Sequence, residues 1–275
     1  MSGFLVEVLF LKLKFNYMQP KRYTYLLKFQ YLGFRYHGWQ QQPDVKTLEG
    51  RVRKTLKFVF EGKKFNVISA GRTDALVSVE QTYIQLFTYH QLDSDFLTLF
   101  NKNLPPDLRA LSIEEKDIKF NIIQHPKWKE YLYFFTFPEK IHPFAAPFMA
   151  TISKDLNLEL MMDCAKKFEG ERDFYSYTFR PTPQTITKGA IKTCEIVENT
   201  YFQASFFPKN IHVLKVIGSG FKRNQIRLMM GMLIDLGSNE KTVSFFEKTL
   251  DGSQKIKLEH IAPASGLILN KVELQ

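Results

Sequence analysis

Between Lys21 and Tyr31 the residues Tyr23, Tyr25, Leu27, Phe29 and Tyr31 alternate with Thr24, Lys28 and Gln30. A period of two puts one set of side chains on one face of a strand, and Leu26 adds an apolar residue on the other. Beyond a Gly-containing loop the period changes. Leu48, Val52, Leu56 and Val59 form a helical stripe, with Thr47 placed to cap it, Glu49 in its first turn and Gly62 as its stop. A strand and a helix with one apolar face each must bury those faces against one another, so the chain is confined to layered α/β architectures.

The same switch recurs along the chain. Strands are expected around Asn66–Ala70, Tyr83–Tyr89, Leu108–Glu114 and Lys129–Phe137, followed by a proline-rich connection over Pro138–Pro147. A second helix fits Asn157–Phe168, with Gly170 beyond its end. Strands around Lys188–Glu198 and Ile211–Ile217 come next, and a last helix fits Arg223–Leu236 with Gly237 as its stop. Each half reads strand, helix, strands. Two related α/β halves meeting in a cleft follow, residues 18–112 forming the N-terminal half and residues 113–275 the C-terminal one.

Residues 1–17 stand apart from this pattern. The stretch from Met1 to Tyr17 is apolar but carries Glu7, Lys12 and Lys14. It is too short and too charged to span a bilayer and lacks a signal-peptide cleavage site, so it reads as an extension, with Met18 expected as the true start. The chain has a net charge of +10 and an isoelectric point of about 9.4, which suits an acidic partner, nucleic acid being the commonest. A lysine-rich surface serving solubility is the plainer alternative. Cys164 and Cys194 lack paired spacing and read as core residues in a reducing cytoplasm. The scattered histidines offer no metal motif.

Four segments carry groups suited to chemistry. Gly38-Trp39-Gln40-Gln41-Gln42 follows the first strand; Trp and Gln in a loop can stack on and hydrogen-bond unpaired bases, or the loop can fold back on its own aromatics. Gly71-Arg72-Thr73-Asp74 can hold a carboxylate at the rim of a sheet as nucleophile or base, or can simply close a turn. Tyr131 and Tyr133 share one strand face, which on composition alone is more often core. Gly218-Ser-Gly220-Phe221 leads towards Arg223 and Arg227. Arg223 stands where a dinucleotide fingerprint needs its third glycine, so that reading is disfavoured. Two arginines at i, i+4 can instead neutralise phosphates or a buried carboxylate.

In this order the segments resemble the TruA-type tRNA pseudouridine synthases. The likeness runs from about Arg22 to Val272 and includes Gly38-Trp39-Gln40, Thr47-Leu48-Glu49-Gly50, Gly71 to Asp74, Leu104-Pro105 and Tyr131-Leu132-Tyr133. It continues through Phe168-x-Gly170 with Asp173-Phe174, Gly220-Phe221 with Arg227 and Gly231, and Ala262 to Leu267. The resemblance implies an α+β fold of two ferredoxin-like-related halves with antiparallel sheets around a central RNA-binding cleft. It further implies a homodimer acting on uridines of the tRNA anticodon stem-loop without metal or cofactor. By the family pattern Asp74 is the nucleophile, Tyr131 stacks on the uracil and Arg227 partners Asp74. Arg72, Trp39, Gln40 and Arg223 are the expected RNA contacts.

This chain also departs from the family pattern. After Asp74 the usual Gly, His and Ala are replaced by Leu76, Ser78 and Val79, and an arginine usually found near Ile123 is absent. A divergent RNA-binding relative with an altered target or reduced activity is the alternative these changes motivate.

Overall fold

The computed structural model describes residues 21–252 and 254–275; the expected extension over residues 1–17 and the start at Met18 lie outside them. Its elements run β1 (Tyr23–Tyr31), α1 (Leu48–Val59), β2 (Phe65–Ser69), β3 (Ser78–Thr88), α2 (Phe96–Asn103), β4 (Leu108–Lys116) and β5 (Pro126–Thr136). They continue with β6 (Ala150–Thr151), α3 (Leu158–Lys166), β7 (Gly170–Asp173), β8 (Lys188–Glu198), β9 (His212–Gly218), α4 (Gln225–Gly237), α5 (Val243–Asp251) and β10 (Leu267–Leu274). None of the described helices is long and apolar enough to cross a membrane.

The strands join in one sheet of order β4-β1-β3-β10-β5-β9-β8-β7, with β2 on β3 and β6 on β5. Most pairs are antiparallel; β10 runs parallel to β3, and β6 to β5. This is an α+β arrangement. The last strand, β10, lies between β3 and β5 and so links β1–β4 to β5–β9 in one sheet.

Alternation decides what each face buries. Tyr131, Tyr133 and Phe135 enter the main core with residues of all five helices, while Leu132 and Phe134 enter a smaller cluster with Met149, Ile211 and Val213 on the opposite face. Thr47 caps α1 by accepting from the Gly50 N–H at 3.3 Å, and Asn157 caps α3 by accepting from Leu160 N–H at 3.0 Å. Every residue of α4 except Arg227 is buried, the signature of a helix enclosed by other elements rather than lying on a surface. Both cysteines are free and buried.

The start of α4 departs from the sequence expectation. The helix begins at Gln225, because Asn224 adopts the left-handed conformation (φ +56°) and Gln225 closes a turn on Lys222 through both its N–H and its side chain. Arg223 therefore precedes the helix and does not share a helical face with Arg227.

Candidate active site

β2 ends at Ser69 and β3 begins at Ser78, and the connection between them carries Asp74. Its backbone is held from the loop after β1. Trp39 N–H donates to the Thr73 carbonyl at 3.1 Å, and Leu76 N–H to the Tyr36 carbonyl at 3.0 Å. The Tyr31 hydroxyl and Thr73 Oγ1 share a buried hydrogen bond of 2.8 Å. Gly38 has φ +84°, and a Cβ there would lie 2.7 Å from the Thr73 carbonyl oxygen, so the close approach of the two loops requires glycine.

This bracing corrects the expectation for Trp39. Its indole is 3% exposed and stacks on Tyr31 with ring centroids 6.1 Å apart. A ring already packed in the core offers no face to a base; the loop has folded back on its own aromatics. Gln40 remains exposed and lines the cleft described below. Tyr31, Gly38 and Thr73 act as supports, a role that sequence reading did not assign to them.

Leu76 adopts φ +67°, the left-handed region that disfavours any side chain with a Cβ, and is 40% exposed. The glycine usual in the family pattern at this point has a physical reason, and this chain carries the strained alternative. Ser78, where the pattern has His, is buried and accepts from the Gly33 N–H at 2.9 Å.

Sheet register brings the remaining groups to Asp74. Across the sheet Val79 pairs with Leu269, Leu269 with Tyr131, and Tyr131 with Val216. Tyr131 meets the ring of Phe221 edge-on at 5.2 Å. Burial raises its pKa, and the negative charge of Asp74 raises it further, so the phenol is neutral near pH 7. Tyr133, on the same strand face, belongs to the core and donates its hydroxyl to the Pro263 carbonyl at 2.8 Å.

Arg227 stands in the first turn of α4. Its Nε donates to the Ala262 carbonyl at 2.7 Å and its guanidinium to Asn224 Oδ1 at 3.1 Å. Burial lowers its pKa, and the negative charge of Asp74 acts the other way. The expected direct pair with Asp74 is thus corrected to a longer-range attraction, because the carbonyl and the amide hold the guanidinium. Among the described residues the Asp74 carboxylate has no direct hydrogen bond or ion pair. Arg223 stacks its guanidinium over Phe179 at 5.1 Å, and its carbonyl accepts from the Phe179 N–H at 3.1 Å.

Gln40, Asp74, Tyr131, Phe221 and Arg223 line a cleft of about 750 Å³, and Arg227 is not among its lining residues. Among the described residues Asp74 is the only acidic side chain in its lining, against Arg72, Lys129, Lys222 and Arg223. Arg72 is exposed beside Asp74. Lys129 was not expected here; its signal in the sequence is the i, i+2 spacing to Tyr131, which puts both on one strand face. Among the described residues no group of three or more His, Cys, Asp or Glu side chains is placed to hold a metal ion.

The segment that holds Arg227 is itself clamped to α4. Ala262 N–H donates to the Arg227 carbonyl at 3.1 Å, and His260 Nδ1 hydrogen-bonds Asp235 Oδ1 at 2.5 Å. That bond raises the His260 pKa against the opposing effect of burial. The folded state therefore binds the proton more tightly than the unfolded one. The stabilisation is complete below the unfolded pKa of about 6.5 and is lost as pH rises through the higher folded value. Urea midpoints should fall over that interval, and His260→Gln should flatten the dependence; an equal fall in the variant would assign it to another group.

A family model described as tRNA pseudouridine synthase matches residues 164–274. The chain is 31% identical over 244 residues to tRNA pseudouridine synthase A 1 of Desulfotalea psychrophila, covering 87% of this chain and 95% of that protein. It is 27% identical over 253 residues to tRNA pseudouridine synthase A 2 of Bacillus cereus, covering 91% and 99%. It is also 27% identical over 250 residues to tRNA pseudouridine synthase A of Dictyoglomus thermophilum, covering 90% and 98%. The matches to these relatives extend over most of the chain, and on this likeness it belongs to the TruA-type tRNA pseudouridine synthase family of isomerases.

Proposed function

We propose that the chain converts uridine to pseudouridine in the anticodon stem-loop of tRNA, with the Asp74 carboxylate as nucleophile, Tyr131 against the uracil and Arg227 as the cation behind them. The observation that carries this reading is the meeting of Asp74 and Tyr131, distant in sequence, in one cleft whose other charged side chains are all basic.

The reaction breaks the N1–C1′ bond, turns the uracil and forms a C5–C1′ bond; the proton on C5 leaves and N1 regains one. A free carboxylate without a hydrogen-bond partner is available for attack. The neutral Tyr131 offers its ring to the uracil and its O–H as a donor, not a phenolate. Reaching the target requires turning it out of the stem-loop, at a cost of a few kcal/mol. On this reading Arg72, exposed in the lining of the cleft, enters the space the nucleotide leaves, while Gln40 and Arg223 contact the RNA around it. The same reading takes residues 18–112 and 113–275 as two ferredoxin-like-related halves around the cleft. It also takes the protein as a cytoplasmic homodimer.

Carbodiimide-based pseudouridine mapping of tRNA with and without the protein tests this directly. A modification outside the anticodon stem-loop would overturn the target, and none at all would overturn the activity. If Arg72, Lys222 and Arg223 each neutralise a phosphate, affinity should fall about 20- to 40-fold between about 50 and 200 mM salt. A filter-binding titration that is flat over this range would remove them as phosphate contacts.

A further inference from the structure

The chemistry above leaves Lys129 without a role. It sits on β5 two residues before Tyr131, half-buried, and its ammonium donates to the Ala70 carbonyl at 2.9 Å. No ion pair with a carboxylate is formed by this ammonium among the described residues, and burial lowers its pKa. An ammonium held partly out of water without a counter-ion costs stability, a cost that something else in the site has to justify.

Gly71 shows what that is. Its φ lies outside the left-handed region, so its backbone does not need glycine. A Cβ there would meet Lys129 Nζ at 3.1 Å and Cε at 3.9 Å and, among the described residues beyond its chain neighbours, nothing else within 4 Å. The glycine that opens the Gly-Arg-Thr-Asp turn leaves room for this ammonium. The lysine thus spans from the strand of Tyr131 to the start of the turn that carries Asp74.

We propose that Lys129 is a positioning residue, whose ammonium pins the Ala70–Asp74 turn from β5 and sets how the Asp74 carboxylate enters the cleft. This rests on the reading of Asp74 as the reacting carboxylate. Lys129→Met keeps the apolar stem, ends at the position of Cε and removes both donor and charge. Gly71→Ala crowds the ammonium on its acceptor. The full-length protein, both single variants and the double variant would be compared on unmodified tRNA transcript for single-turnover rate, tRNA affinity and urea midpoint.

Lys129→Met is expected to slow the chemical step at least about tenfold, since small misplacements of reacting groups have effects of this size. Its tRNA affinity should stay within about threefold and keep the salt slope of the unaltered protein. Gly71→Ala should also slow the step, and the double variant should be no slower than Lys129→Met alone, because both changes break one contact. An unchanged rate in Lys129→Met would overturn the proposal, as would rate losses that multiply in the double variant. A loss lying in affinity with a shallower salt slope would make Lys129 a phosphate contact instead. A rate loss matched by the unfolded fraction would make it a stability effect. Activity surviving in Asp74→Ala would be the failure of the underlying reading, whatever Lys129→Met does.

Discussion

Asp74→Ala should lower the single-turnover rate of pseudouridine formation by about 10,000-fold or more, the scale on which removing a nucleophile acts, while tRNA affinity stays within severalfold. The structure separates this from a folding defect. The turn is held through backbone groups of Thr73 and Leu76 and through the Tyr31–Thr73 bond, none of which uses the Asp74 side chain. The urea midpoint should therefore barely move. Removing the acidic side chain that stands among the cations of the cleft leaves them more attractive to phosphates, so affinity has no reason to collapse. Release of tritium from C5-labelled uridine in tRNA measures the rate. Turnover near that of the unaltered protein would exclude Asp74 as the nucleophile.

Gly231→Ala should act through the fold. A Cβ on Gly231 would lie 2.0 Å from the His260 carbonyl oxygen and 2.9 Å from its carbon. Neither partner can yield cheaply, since α4 is enclosed and the 260–262 segment is tied to it at Asp235 and Arg227. Overpacking of this kind is expected to destabilise by about 3 kcal/mol or more. Activity should fall with it, because displacing this segment takes the Ala262 carbonyl from the Arg227 guanidinium. Gly220→Ala is the control, since a Cβ there meets nothing within 4 Å. Equilibrium urea unfolding of both variants checks the contrast; a Gly231→Ala protein within about 0.5 kcal/mol of the parent would show that the helix and the segment separate freely.

Elements stabilised by near neighbours in sequence were readable. The period-two run ending at Tyr31 is β1, Thr47 caps α1 as expected, and β8 spans the anticipated Lys188–Glu198. Elements defined by distant partners were not. β10 reads Leu-Ile-Leu-Asn-Lys-Val-Glu-Leu, without clean alternation, because it is covered on both edges by β3 and β5 and on both faces by the two apolar clusters. The short helices α2 and α5 also went unread, being held by packing of residues such as Phe100 and Phe246 rather than by a long stripe, and so did the short strands β6 and β7, which exist only through pairing with β5 and β8. Two residues of the expected last helix were lost to the left-handed Asn224, which no periodicity announces.

The sequence by itself determined the order of strands and helices up to these elements, the basic character of the chain and the presence of Gly-Arg-Thr-Asp ahead of a Tyr-x-Tyr strand. Those features depend on composition and on contacts within a few residues. Only the tertiary structure decided that Trp39 is a brace, that Tyr131 lines the cleft while Tyr133 serves the core, and that Ala262 and Asn224 hold Arg227. It alone placed Lys129 over Gly71. Whether an aromatic ring is buried, or a cation bonded, depends on the atoms opposite it, and here those atoms come from strands and loops far along the chain.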